Sequence, residues 1–372
     1  MIGSRVYRER AFAVRMIVSL LASVTVYHAG FAEARVVQDV PEPDPQSTDV
    51  AASIPPLIRK MTVDEASRWS DWNRGVEIAF DEQRWPEAEA LLRQLLTLER
   101  QTYGQDHPVT MDTWSWMGQI LVEAGRTSEA EKPFLEALRI SEENEGPDHI
   151  DSARHLTNLA FVLSHQDRHT EAQNLLGRAL AIDQAIRPNH LTTAVRLNNL
   201  GLNLNAQNRF PEAQFLLERA LAVREAQLEP GDPRIAISLN NLAANLDAQR
   251  QYADALPLQE RAFAINEIAL GPEDEVTISS LTNLRDILNN MASHFDFLEK
   301  YADAQLINER LLTLSSLYST TSITVAQDLN NLADNFDNQN RYDEAEPLYR
   351  RALSINTEFQ GTNDPDTAIS IS

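Results

Sequence analysis

One spacing governs what this chain can fold into. An acidic residue followed by alanine recurs at Ala88, Ala130, Ala172, Ala213, Ala255, Ala304 and Ala345, in steps of 42, 42, 41, 42, 49 and 41 residues. A second signature, Leu-x-Asn-Leu, runs in step with it at Leu156–Leu159, Leu197–Leu200, Leu239–Leu242, Leu281–Leu284 and Leu329–Leu332. Two independent signatures held at one period define a solenoid, in which each unit buries its apolar face only against its neighbours. A length of 372 residues would otherwise suggest two or three separate domains.

The unit itself is a helix pair. With Leu239 as position 4, residues Leu242, Ala243 and Leu246 take positions 7, 8 and 11. At about 100° per residue the four share one apolar stripe about 100° wide. In the second helix Ala255 and Ala262 are seven apart, stacking two small residues where helices approach closely. Pro108, Pro147, Pro188, Pro230, Pro233, Pro272 and Pro365 fall between units. Pro86, Pro133, Pro211, Pro257 and Pro347 fall where a second helix opens, in a first turn that needs few N–H donors. No period-two pattern competes, so the expected fold is all-α: stacked antiparallel helix pairs over 63–372, about seven units, the first degenerate.

Trp114, Met117, Gly118, Leu121, Ala130, Phe134 and Ala137 follow the tetratricopeptide pattern W-x2-L-G-x2-Y, then Ala, Phe and Ala, with conservative swaps. The unit running from Arg234 through Glu275 resembles the kinesin light chain type of that repeat, and so does the stretch from Val325 to Ile355. The resemblance covers about Val63 to Ser372. It implies a right-handed solenoid and a role in protein–protein interaction, without specifying a partner.

Before the repeats, Arg5, Arg8, Arg10 and Arg15 precede an apolar run from Met16 to Val26, and Ala32 and Ala34 follow. Basic, apolar and small residues in that order read as a secretory signal over 1–34, cleaved near Ala34. The expected mature protein is then periplasmic or secreted; an uncleaved anchor or an organelle transit peptide are the rival readings. Pro41, Pro43, Pro45, Pro55 and Pro56 make 35–62 an extended linker. At the other end, 364–372 repeats the opening of a unit and stops before its buried positions. The expectation there is a truncated start of another repeat, hence a piece of a longer protein.

Composition narrows the partners. Lys and Arg number 32 against 55 Asp and Glu, a net charge of −23, which disfavours nucleic acid and an acidic membrane surface. There is no cysteine, which removes disulfides, thiolate catalysis and Cys-type zinc sites. His165 and His169 have metal-pair spacing, but His169 stands where other units carry Trp85, Phe210, Tyr252, Tyr301 or Tyr342. His107, His149 and His190 recur in the inter-unit turn, which points to a structural turn role. No nucleophile motif, carboxylate pocket or phosphate-binding glycine loop appears, so neither catalysis, a metal nor a cofactor is expected.

The candidate site is the face opposite the apolar stripe. Position 6 holds Asn158, Asn199, Asn241, Asn283 and Asn331, and position 5 adds Asn198, Asn240 and Asn330. Asparagine is a mediocre helix residue, so a register of five asks for a cause. One reading is an amide ladder in a concave groove, offering donors and acceptors to the backbone of an extended peptide. In the kinesin light chain family equivalent asparagines line the cargo groove, and the resemblance implies the same. The other reading is that the amides bond one another and pin the stack. Trp116 takes the same place one unit earlier, as an aromatic anchor or an end cap. Asp247, Asp286, Asp334 and Asp337 at positions 9 or 12, with Arg154 the exception, suit a neutral or basic peptide. Self-association is left open. The alternative to a free scaffold is a sensing or regulatory arm of a larger effector or signalling protein.

Overall fold

The computed structural model describes residues 61–318 and 322–359. The signal segment 1–34, most of the linker 35–62 and the repeat start at 364–372 lie outside the described residues. These divide into two compact units, 61–228 and 229–359. The first contains α1 (Val63–Asp81), α2 (Trp85–Tyr103), α3 (Pro108–Glu123), α4 (Glu131–Asn144, preceded by a 3-10 turn at Thr127–Ala130), α5 (Ile150–His165), α6 (His169–Ile186), α7 (Leu191–Ala206) and α8 (Phe210–Gln227). The second contains α9 (Pro233–Ala248), α10 (Tyr252–Leu270), α11 (Glu275–Phe297), α12 (Tyr301–Leu317), α13 (Ser322–Asn338) and α14 (Tyr342–Phe359). Within each unit every helix packs on the one before it, and no strand occurs among the described residues. The fold is an all-α repeat solenoid. None of its described helices is long and apolar enough to cross a membrane.

Six first helices, α1, α3, α5, α7, α9 and α11, start on a side-chain cap. His107, His149 and His190 accept through Nδ1 from the backbone N–H of Val109, Asp151 and Thr192, at 3.3, 3.3 and 3.2 Å. Asp232 and Asp274 do the same for Arg234 and Val276, at 2.9 Å each. The recurring histidines are therefore helix caps, interchangeable along the chain with aspartate. Glu145 and Asp151 gather round His149, whose Nδ1 already serves the cap. His190→Ala should cost about 1 kcal/mol and His190→Asp should recover it, read by urea unfolding; equal stability of all three would deny the cap any weight.

The turn from first to second helix is left-handed in every unit. Gly125 has φ 72, but Gln83, Asp167, Asn208, Arg250, Glu299 and Asn340 hold φ between 56 and 60 without being glycine. The next N–H closes the turn on the carbonyl five residues back, as in Arg168 N to Leu163 O at 2.9 Å. Arg126, Arg168, Arg209 and Arg341 each grip the glutamate three residues on with Nε and Nη2. Their Nη1 reaches back one repeat to Glu89, Glu131, Gln173 and Gln305, at 2.6, 2.8, 2.9 and 2.7 Å. These exposed clasps add little stability singly, but the same stitch recurs.

The alanine signature marks the tightest packing. Ala88, Ala130, Ala172, Ala213, Ala255 and Ala304 are fully buried and Ala345 nearly so. Position 8 is small for the same reason. A Cβ on Gly118 would meet the Phe134 ring at 2.5 Å, and one on Gly201 would meet Leu217 at 2.9 Å. In the first unit a contiguous apolar core runs from Val76 to Ile182. Smaller clusters flank it around Met111 and Leu197, and the second unit has clusters around Leu288, Leu332 and Leu329. The longer step there is a lengthening of α11 to 23 residues against 16 in α9. Seven residues are nearly two turns, so Leu288 and Ala292 resume the buried stripe beyond Arg285, while Phe297 is left 80% exposed. Pro257 and Pro347 lie deeper in their helices than the first turn expected for them.

Candidate functional site

The asparagine register separates by depth. In the first unit Asn158 on α5 and Asn199 on α7 are half-buried, as is Trp116 at the same repeat position on α3. The Trp116 ring stands edge-on to Phe80 of α1, centroids 6.4 Å apart. Asn198, one position earlier, is fully buried. In the second unit Asn240, Asn241 and Asn283 are buried, Asn330 is half-buried and Asn331 is exposed. Asn240 Oδ1 accepts from Gln259 Nε2 of α10 at 2.7 Å and from Ser280 Oγ of α11 at 3.2 Å.

That geometry corrects the expectation for position 5 at Asn198 and Asn240. These side chains turn into the packed helix layer, so they do not line an open groove. For Asn240 the amide holds three helices together. Asn241 and Asn283 are also closed off from solvent in the described residues. The part of the register that a partner could touch is Asn158, Asn199, Asn330 and Asn331, with Trp116.

Stack-pinning is shared with residues the sequence reading passed over. Position 10 carries Asn203, Asn245 and Asn335, all buried. Asn203 Nδ2 donates to Ser164 Oγ of the preceding first helix at 3.1 Å. Asn335 Nδ2 donates to Asp296 Oδ1 at 2.8 Å and to the Tyr301 carbonyl at 3.1 Å. Asn290 Nδ2 straddles both oxygens of Asp247, at 3.2 and 3.0 Å. Burial, partly offset by that amide and reinforced by Asp286, pushes the Asp247 carboxyl up to about 6. Asp334 and Asp337 stay exposed.

A second unread row closes the junctions between repeats. Here a late residue of one second helix meets an early residue of the next first helix, and both are polar. Glu99 accepts from Thr113 Oγ1 at 2.8 Å. Ser141 Oγ lies 3.0 Å from Ser152 Oγ. Asp183 pairs with Arg196 at 3.4 Å, and Arg285 with Asp328 at 2.7 Å while Ser315 donates to the same carboxylate. The chemistry varies along the row: carboxyl with hydroxyl, hydroxyl with hydroxyl, and twice carboxylate with guanidinium. The signal was present: every unit has a polar residue eleven places after its alanine, as at Glu99, Ser141, Asp183, Arg224, Asn266, Ser315 and Asn356.

Comparison with known proteins agrees with this architecture. The tetratricopeptide repeat family is matched over residues 76–143 and 151–226, and again over 235–275 and 326–366. Together these exceed half of the chain, which belongs to the tetratricopeptide repeat family. No curated protein matches it. Among solved structures, the apo form of RapI is similar at 14% identity with a TM-score of 0.51, covering 78% of this chain and 98% of its own. A putative kinesin light chain of Podosopora anserina with nearly identical TPR-like repeats is similar at 22% identity and a TM-score of 0.47, covering 55% and 96%. BtubC (BKLC) from P. vanneervenii follows at 17% identity and 0.43, covering 66% and 92%. At these identities the likeness concerns the fold.

Proposed function

We propose that the chain is a protein-interaction scaffold whose first-helix face receives an extended segment of a partner protein. The observation that carries this is in the first unit. Trp116, Asn158 and Asn199 occupy one repeat position on α3, α5 and α7 and remain partly exposed, whereas the amides one position earlier or four later are buried. An amide offers a donor and an acceptor together, which suits peptide backbone of any sequence; at Asn199 the Oδ1 is itself buried, so the acceptor role falls to Asn158. A partly exposed indole suits an apolar anchor residue. On the second unit's own first-helix face the exposed Asp334 and Asp337 favour a neutral or basic segment over an acidic one. Membership of the tetratricopeptide family supports the same reading.

The test is selection from a displayed random peptide library on the purified chain, followed by titration of the tightest peptide. Asn158→Ala with Asn199→Ala should weaken binding at least tenfold and leave the unfolding midpoint within the range of surface changes. A collapse of stability with binding per folded molecule unchanged would assign these two amides to the stack instead.

A further inference from the structure

Glu99 on α2 is a carboxyl in surroundings that do not suit a charge. It is 1% exposed. Its Oε1 accepts from Trp69 Nε1 of α1 and its Oε2 from Thr113 Oγ1 of α3, both at 2.8 Å. Among the described residues no ion pair accompanies these two bonds. The charged and titratable groups around it are ill placed to compensate. Arg100, the next residue, lies over the Trp114 ring, and Arg68 of α1 lies over Trp72. Asp112 of α3 adds a like charge. One turn along α2, the Tyr103 phenol is raised by burial and then by Glu99 and Glu65, and His107 stacks on its ring at 4.8 Å.

We propose that Glu99 is a proton-operated latch for α1, which holds the N-terminal half of that helix closed as a neutral acid and releases it as a carboxylate. The neutral form satisfies every neighbour. Oε2–H donates to Thr113 Oγ1, whose own hydrogen turns to the Val109 carbonyl at 3.3 Å, while Trp69 keeps Oε1. The ionised form places an uncompensated charge in the packed layer, which is strongly disfavoured. Relief is at hand in α1. Its C-terminal half is anchored by Val76, Ala79 and Phe80, all buried, whereas its N-terminal half attaches through the partly buried Trp69 and Trp72. Swinging Trp69 away lets water reach the carboxylate without unfolding the repeats behind it.

The direction follows from the burial of the acid. It raises the carboxyl from 4.5 to about 7. Between those values the closed state holds a proton that the opened state gives up. The closed state is therefore fully favoured below about 4.5, and loses ground as pH rises through 7. Phe80 of α1 touches Trp116, so the latch would also modulate the partner-binding face. That coupling rests on the function proposed above; the latch does not.

Amide hydrogen exchange of residues 64–72 at pH 5.5 and 8.5, corrected for intrinsic rates, tests it on the whole chain. The opening constant should rise roughly thirtyfold between the two, climbing tenfold per pH step of one as far as about 7 and levelling beyond it, while α5 and α6 stay protected. Glu99→Gln should keep α1 protected at both values. Trp69→Phe, which removes a donor favouring the carboxylate, should move the midpoint upward. Equal exchange of α1 at both pH values, a response spread evenly over α1–α8, or a pH-dependent opening that survives in Glu99→Gln would each overturn the proposal.

Discussion

Asp183→Ala is expected to destabilise the first unit by about 3–5 kcal/mol, because it strands a buried cation. Arg196 is 1% exposed and Asp183 fully buried. Their contact, Nε to Oδ2 at 3.4 Å, and that of Arg187 at 3.7 Å are the ion pairs of this carboxylate. Burial pulls the guanidinium down to about 10 against the opposing pull of Asp183. Without the carboxylate the guanidinium must dehydrate unpaired or drag water into the junction between α6 and α7. The double change Asp183→Leu with Arg196→Met removes both charges at similar volume and should recover most of the loss, since a buried pair contributes little net stability over apolar packing. Chemical denaturation of the two variants checks this. A single-variant loss below about 1 kcal/mol would mean that Arg196 is hydrated in the native state.

Gly118→Ala should destabilise by about 2 kcal/mol, although alanine is intrinsically the better helix former by about 1 kcal/mol. The added methyl would sit 2.5 to 2.7 Å from three atoms of the Phe134 ring, a flat group that is itself buried. Overpacking of this kind costs about 1–3 kcal/mol. The chain suggests its own remedy. One repeat on, the corresponding places hold Ala160 and Leu176, both buried. Gly118→Ala with Phe134→Leu should therefore be more stable than Gly118→Ala alone. If the single variant is stabilised, helix propensity outweighs packing here and the close approach is looser than the structure has it.

Which parts were legible from sequence follows from how each is encoded. The repeat, the helix pair and the alanine contacts depend on spacing within one unit, and the periodicity carries them. The histidine caps were also legible, since a residue recurring at one turn position has a structural cause. The junction row shows in the sequence as a spacing alone, because burial of Asp183 or Glu99 depends on the unit that follows, not on the phase of its own helix. Position 5 misled for a related reason. On an isolated helix Asn240 lies beside the solvent face; Gln259 and Ser280, from the next two helices, cover it. The left-handed turns escaped because Gly125 alone among seven residues uses glycine there, and the arginine clasps that accompany several of them are spaced across repeats.

Exchange footprinting with the peptide selected above decides whether the first-helix face of the repeats receives a partner. Protection on binding should fall on α3, α5 and α7, around Trp116, Asn158 and Asn199, and should vanish with Asn158→Ala/Asn199→Ala. Protection confined to the second helices α4, α6 and α8, with these three residues unaffected, would contradict it.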